Sequence, residues 1–128
     1  MTYHANIFKS KRGITRDVIN VLKSFIPMSE TAFYILLSLT EPRHGYGIIQ
    51  HTYDITNGRI KLGSGTVYGT LTKMEKRGVI SVYSDGGRKT VYEITEVGKI
   101  LIKEEIARIK ELYNNAVKYK GDFNDESI

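Results

Sequence analysis

The chain of 128 residues has no cysteine and no tryptophan, and only two prolines. Without cysteine there is neither a disulfide framework nor thiolate chemistry. No apolar run approaches a membrane span. The first fifteen residues, with His4, Asn6, Lys9, Lys11 and Arg12, lack the apolar core of a signal peptide. A cytoplasmic protein is the expectation, with no membrane partner. Catalytic signatures are missing as well. Gly63-Ser64-Gly65 does not continue into a dinucleotide fingerprint, and no phosphate-loop consensus occurs. No nucleophile has an obvious base beside it, and carboxylates are not clustered at metal-ligand spacing. His44 and His51 can share a helix face, but a metal site needs a third ligand and none is near. The expectation is therefore a protein with no catalytic residues, no metal and no cofactor.

What the chain does have is positive charge, +5 in all. All of the excess lies in the first three quarters, for the last quarter carries slightly more acid than base. A basic surface attracts polyanions, though basicity alone does not prove that it binds them. A domain this small has a marginal core, which makes burial against a second subunit a natural supplement.

The stretch from Leu62 to Gly78 organises the rest. Val67, Leu71 and Met74 fall at i, i+4 and i+7, the stripe of a helix facing a core. The opposite side carries Thr66, Tyr68, Gly69, Thr72, Lys73 and Lys76. A small, hydroxyl-rich first turn lets backbone N–H groups approach phosphate closely, and Gly78 suits the left-handed position beyond the end. A recognition helix has this profile. So does an ordinary amphipathic helix with a solvated outer face, and the stretch alone does not separate the two.

In chain order, residues 1–13 read as a basic arm. A helix follows from Thr15, with Val18, Val21, Leu22 and Phe25 on one face and Pro27 beyond its end. Ser29 caps a second helix, about 30–40, so apolar (Ala32, Phe33, Ile35, Leu36, Leu37, Leu39) that more than one side should be buried. Glu41-Pro42-Arg43 stops it. His44-Gly45-Tyr46-Gly47 opens a third helix, with Tyr46, Ile49 and Tyr53 on one face, and Asn57-Gly58 closes it. Arg59 to Leu62 alternates like a short strand. After the organising helix, two β-branched and aromatic runs joined by Asp85-Gly86-Gly87 make a hairpin. Its inward positions are Ile80, Val82, Tyr92 and Ile94, and Arg88 and Lys89 lie near the tip. Thr95 then caps a long helix to about Lys120. There Ile102, Ile106, Ile109, Tyr113 and Ala116 alternate spacings of four and three, a coiled-coil-like seam that calls for a twin.

Three helices followed by a basic-tipped hairpin is the layout of a winged helix, a helix-turn-helix variant. The fold expected is mainly α with a small β-hairpin wing: a basic N-terminal arm and extra helix (1–27), a winged-helix DNA-binding domain (28–95), a long C-terminal dimerisation helix (96–120) and a frayed tail (121–128). An RNA-binding reading would want exposed aromatics on a larger sheet. A winged-helix protein-interaction adaptor, or a non-specific DNA-binding protein, stays open beside sequence-specific DNA binding.

The chain also resembles the PadR family of bacterial and archaeal transcriptional regulators, and within it the short subfamily with a single C-terminal helix. The residues that carry this are Met28-Ser29-Glu30, Tyr34 to Leu37, Glu41-Pro42-Arg43-His44-Gly45-Tyr46-Gly47, Leu62 to Leu71, Met74 to Ile80, Gly87-Arg88-Lys89, Tyr92 to Thr95 and Gly98. The resemblance implies a homodimeric repressor on a pseudo-palindromic operator in double-stranded DNA. It places Tyr68 in the recognition helix and Arg88 and Lys89 in the wing. With the helix reading, the DNA-binding candidates are Ser64, Gly65, Thr66, Tyr68, Thr72, Lys73, Arg88 and Lys89. The dimer candidates are Phe33, Leu36, Leu37, Ile102, Ile106, Ile109 and Tyr113. Many members carry proline where this chain has Ser64 and Gly69, so its helix start is looser. Some members stack flat aromatic drugs between tryptophans. Here that is excluded, which leaves Tyr, Phe and Ile to line a site for a small aromatic ligand.

Overall fold

A computed structural model of the protein describes residues 15–123. The basic cluster Lys9–Arg12 and the end of the acidic tail lie outside the described residues. The elements are α1 (Arg16–Phe25), α2 (Glu30–Ser38), β1 (Arg43–His44), α3 (Gly45–Ile55), α4 (Ser64–Lys76), β2 (Ile80–Ser84), β3 (Val91–Ile94) and α5 (Glu96–Lys118), then a 3-10 turn, Lys120–Phe123. The architecture is mainly helical with one small antiparallel sheet in the order β1-β3-β2, a winged helix.

Short polar side chains start most of the helices, as their positions predict. Thr15, Ser29 and Thr95 each accept a hydrogen bond from the backbone N–H three residues on, at 3.2, 3.1 and 3.1 Å. His44 does the same for α3 through Nδ1, which accepts from Gly47 N–H at 3.0 Å. Chain reversals use left-handed residues where the sequence places them: Asn57 (φ 52°) and Gly58 (φ 78°) after α3, and Gly78 (φ 79°) after α4.

One core runs through the molecule. Leu22 of α1, Ile35 and Leu36 of α2, Ile48 of α3, Val67, Leu71 and Met74 of α4, and Leu101 of α5 are all enclosed in it. Burial of each such side chain contributes roughly 1.5–3 kcal/mol. Leu22, Phe25 and Ile26 make the extra N-terminal helix part of the same core. The first half of α5 is anchored by a buried polar contact as well. Glu105 accepts from Met28 N–H at 3.0 Å and from Arg108 at 2.7 and 2.8 Å. A second polar pin joins α2 to α3. Ser38 Oγ, fully enclosed, lies 2.9 Å from His51 Nδ1, and Arg43 donates to the Ser38 carbonyl at 2.6 Å. Burial, then the Arg43 charge, holds the His51 imidazole below its ordinary range, so the neutral ring is favoured at this joint.

Four expectations are corrected. The third strand is Arg43–His44 and not Arg59–Leu62. Arg59 and Ile60 donate their N–H groups back to Thr56, at 3.0 and 3.1 Å, so they close the turn and cannot pair with a strand. Arg43 and His44 instead lie beside Tyr92 and Val91. Val82 is exposed, because the wing bends away from the core at a bulge between Val82 and Ser84. The arm with Arg88 and Lys89 is loop, closed by a Thr90 hydroxyl that donates to Asp85 at 2.9 Å. Finally, α3 buries Ile48 and Thr52 and exposes Tyr46 and Tyr53.

Candidate nucleic-acid interface

The organising helix sits as its periodicity requires. Val67, Leu71 and Met74 face inward and are enclosed. Ser64, Gly65, Thr66, Tyr68, Thr72 and Lys73 are exposed. Gly63 precedes the helix without a side-chain cap, so the first-turn N–H groups are left for solvent or an anion. Helix geometry turns each residue about 100°, which puts Gly65, Gly69, Thr72 and Lys76 opposite the buried stripe. Gly65 and Gly69 have nothing within 4 Å of where a Cβ would stand. The outermost ridge of α4 is therefore bare backbone with a hydroxyl and an ammonium at its far end. Thr72 donates its hydroxyl to the Tyr68 carbonyl at 2.9 Å.

The flanks of this helix differ. On one side the Lys73 ammonium stands over the Phe25 ring, 5.0 Å from its centroid, which links the recognition surface to α1. On the other side Tyr68, half exposed, lays its ring against the first residue of α3. A Cβ on Gly45 would meet its Cζ and hydroxyl oxygen at 2.6 Å. The wing returns to the same place, with Lys89 Nζ 5.7 Å from the centroid of the Tyr46 ring. His44 stacks on Tyr46, 22° from parallel. Tyr92, on β3 behind the wing, has its phenol pushed above the usual range by burial and by the charges of Glu75, Tyr68 and Asp85. Helix α4 and the wing thus share one edge, joined through the start of α3. Sequence reasoning missed Gly45 and Tyr46 as parts of this edge. Tyr46, grouped with Ile49 and Tyr53 on one helix face, is 62% exposed. Lys76 was visible in the helical period but was not chosen as a site.

Of the dimer candidates, Leu36 and Ile102 are enclosed in the chain's own core and offer no surface to a partner. Phe33 and Leu37 are partly buried on α2, whereas Ile106, Ile109 and Tyr113 are exposed along α5. Leu112 and Val117 widen that exposed seam. Among the described residues no group of three His, Asp or Glu side chains is placed to hold a metal ion, and no helix is long and apolar enough to cross a membrane.

Residues 34–104, more than half of the chain, match the Transcriptional regulator PadR-like family. The chain belongs to that family. PadR-like regulators bind DNA and control transcription. An uncharacterized protein of Lysinibacillus sphaericus is 36% identical over 83 residues, which span 59% of this chain and 76% of that one. A transcriptional regulator from Clostridium thermocellum has a similar structure, with a TM-score of 0.63 at 25% identity, covering 84% of this chain and 98% of that chain. A PadR family transcriptional regulator from Eggerthella lenta shares the fold, with a TM-score of 0.61 at 20% identity over 90% of this chain and 93% of its own.

Proposed function

We propose that this PadR-like chain is a repressor that binds a pseudo-palindromic operator as a homodimer. The observation that carries the reading is the shared edge, where an uncapped helix start, Tyr68, Thr72 and the basic wing all stand exposed, with Tyr68 against Gly45 and Lys89 over Tyr46. Ser64, Gly65 and Thr66 offer backbone N–H groups and hydroxyls to phosphate, and the bare ridge of Gly65 and Gly69 lets the backbone come close. Tyr68 and Lys73 reach phosphate or base edges from the two flanks. Arg88 and Lys89 take the adjoining backbone or minor groove. Two-fold symmetry sets the half-sites about 10 bp apart, centre to centre.

Selection of bound fragments from random DNA at near-physiological salt tests this directly. An enriched inverted repeat is expected. Equal, salt-labile binding to every duplex would instead leave a non-specific DNA-binding protein, and no binding would favour a protein-interaction adaptor. With an operator in hand, Lys89→Ala is expected to weaken binding to all sequences and to lower the salt slope by about 1 per subunit. Tyr68→Ala is expected to cost roughly 1–3 kcal/mol at the operator alone if the ring reads bases. The same loss on every duplex would confine Tyr68 to phosphate.

Relief by a small aromatic ligand is the finer part of the proposal. A cleft of about 390 Å³ opens beside α2 and α5, lined by Phe33, Tyr34, Glu105, Arg108 and Ile109. It combines aromatic walls with a guanidinium and a carboxylate, which suits a planar molecule with a polar edge. A ligand that binds only the folded state raises the melting temperature. A thermal-shift panel of planar aromatic compounds should show at least one such rise, and a flat response would point to control by dimer concentration alone.

A further inference from the structure

The sequence places Gly45 and Tyr46 side by side at the start of α3, and each meets a different DNA-facing element. Gly45 is covered by the Tyr68 ring so closely that a Cβ there would stand 2.6 Å from the ring's Cζ and hydroxyl oxygen. A carbon that close cannot be accommodated, so a side chain at this position must push the exposed end of the tyrosine ring aside. Tyr46 receives the Lys89 ammonium on its ring at 5.7 Å and is itself backed by His44, whose centroid lies 6.4 Å away. His44 is fixed in turn, because its Nδ1 accepts from Gly47 N–H at 3.0 Å. The geometry points to the first turn of α3 as a seat that sets where Tyr68 and Lys89 stand relative to each other, with Gly45 and Tyr46 as positioning residues for operator specificity. This inference rests on the DNA-binding reading above. It adds that the spacing between recognition helix and wing is set by contacts to α3, not only by the hairpin that follows α4.

The seat has a physical consequence. Tyr68 is half exposed, and an exposed tyrosine without a neighbour samples several rotamers. Laying the ring on Gly45 fixes its direction before DNA arrives, so less side-chain freedom is lost on binding. The cation–π contact restrains Lys89 in the same way, weakly, as suits an exposed site.

Three variants of the full-length chain test the seat: Gly45→Ala, Gly47→Ala and Tyr46→Leu. Gly47 is the control, since a Cβ there meets only His44 and Arg43 atoms at ordinary distances of 3.6–3.8 Å. In protein labelled with 3-fluorotyrosine, the Tyr68 fluorine resonance, assigned by its loss in Tyr68→Phe, is expected to shift in Gly45→Ala and to stay in place in Gly47→Ala. On the selected operator, Gly45→Ala should lose roughly 5- to 100-fold in affinity, the range for a lost specific contact. Added to Tyr68→Ala, it should then lose little more. Tyr46→Leu should lose roughly 2- to 5-fold, the range for an exposed cation–π pair, and nothing further in a Lys89→Ala background. An unmoved fluorine resonance in Gly45→Ala, or fully additive losses in the double variants, would overturn the seat even if operator binding is intact. A resonance that shifts in Gly45→Ala, while the wild-type protein binds no duplex, would leave the seat standing and remove the DNA reading.

Discussion

Replacing Ile106 and Ile109 together by Asp is expected to convert the protein from dimer to folded monomer. The reason lies in how α5 divides. Its 23 residues span about 35 Å, longer than the small domain it leaves. Leu101 and Ile102 are spent on the chain's own core, so the first half is anchored. From Ile106 on, the described residues cover the seam only in part: Ile106 is 47% exposed and Tyr113 is 68% exposed, with Ile109, Leu112 and Val117 between and beyond. A run of apolar residues in this alternation fits a second copy of itself. Because Ile106 and Ile109 already stand in solvent on the protomer, aspartates there leave the core intact. They place charge only where two copies would meet, and an unpaired charge buried there is costly. The double variant should therefore sediment as a monomer with unchanged helical content. Its operator affinity should fall by roughly 10²–10⁴-fold, since a second half-site no longer binds as an intramolecular event. A wild-type protein that sediments as a stable folded monomer at micromolar concentration would end the dimer proposal. A variant that unfolds would mean that the protomer does not stand alone.

How much of this was legible in the sequence follows from which residues carry local rules. The helices were, because caps and periods are local: Thr15, Ser29 and Thr95 cap, and Val67, Leu71 and Met74 repeat at the helical spacing. The winged-helix layout follows from their order. What could not be read is where a tertiary partner decides. Arg59 to Leu62 alternates, yet its N–H groups are taken by Thr56. Arg43 and His44 carry no strand pattern, yet they lie on the open edge of β3. Leu36 and Leu37 are neighbours of one type, and only the packing of α2 decides that the first is enclosed and the second partly open. The recognition-helix candidates fare differently. All are exposed as expected, but the seat under Tyr68 depends on a close approach between Gly45 and a residue far along the chain, which no local spacing signals.

Glu105→Ala is expected to be strongly destabilising, as much as truncating a buried apolar side chain. Sequence pattern gives Glu105 to the charged side of α5, yet it is 1% exposed. It sits where α5 passes the loop between α1 and α2. One oxygen accepts from Met28 N–H at 3.0 Å and from Arg108 at 2.8 Å, and the other accepts from Arg108 at 2.7 Å. The carboxylate therefore bridges the loop between α1 and α2 and the long helix. Removing it takes two bonds from Arg108 and leaves the Met28 N–H without its acceptor in a buried place. Breaking a buried pair by deleting one partner costs about 3–5 kcal/mol. The Arg108 side chain is 22% exposed, so water recovers part of this and the lower end is expected. Glu105→Gln keeps the shape and an acceptor for Met28 while losing the charge, so it should fall between Ala and wild type. Arg108→Ala should destabilise too, because it leaves the carboxylate held by Met28 alone among the bonds described. The check is urea unfolding at fixed protein concentration, so that dimer mass action is held constant. The expected result is a lower midpoint for all three at unchanged slope, the sign of lost stability with the same surface exposed on unfolding. If Glu105→Ala unfolds at the wild-type midpoint, the bridge contributes nothing. The loop between α1 and α2 is then held by apolar contacts such as those of Phe25, Ile26 and Met28.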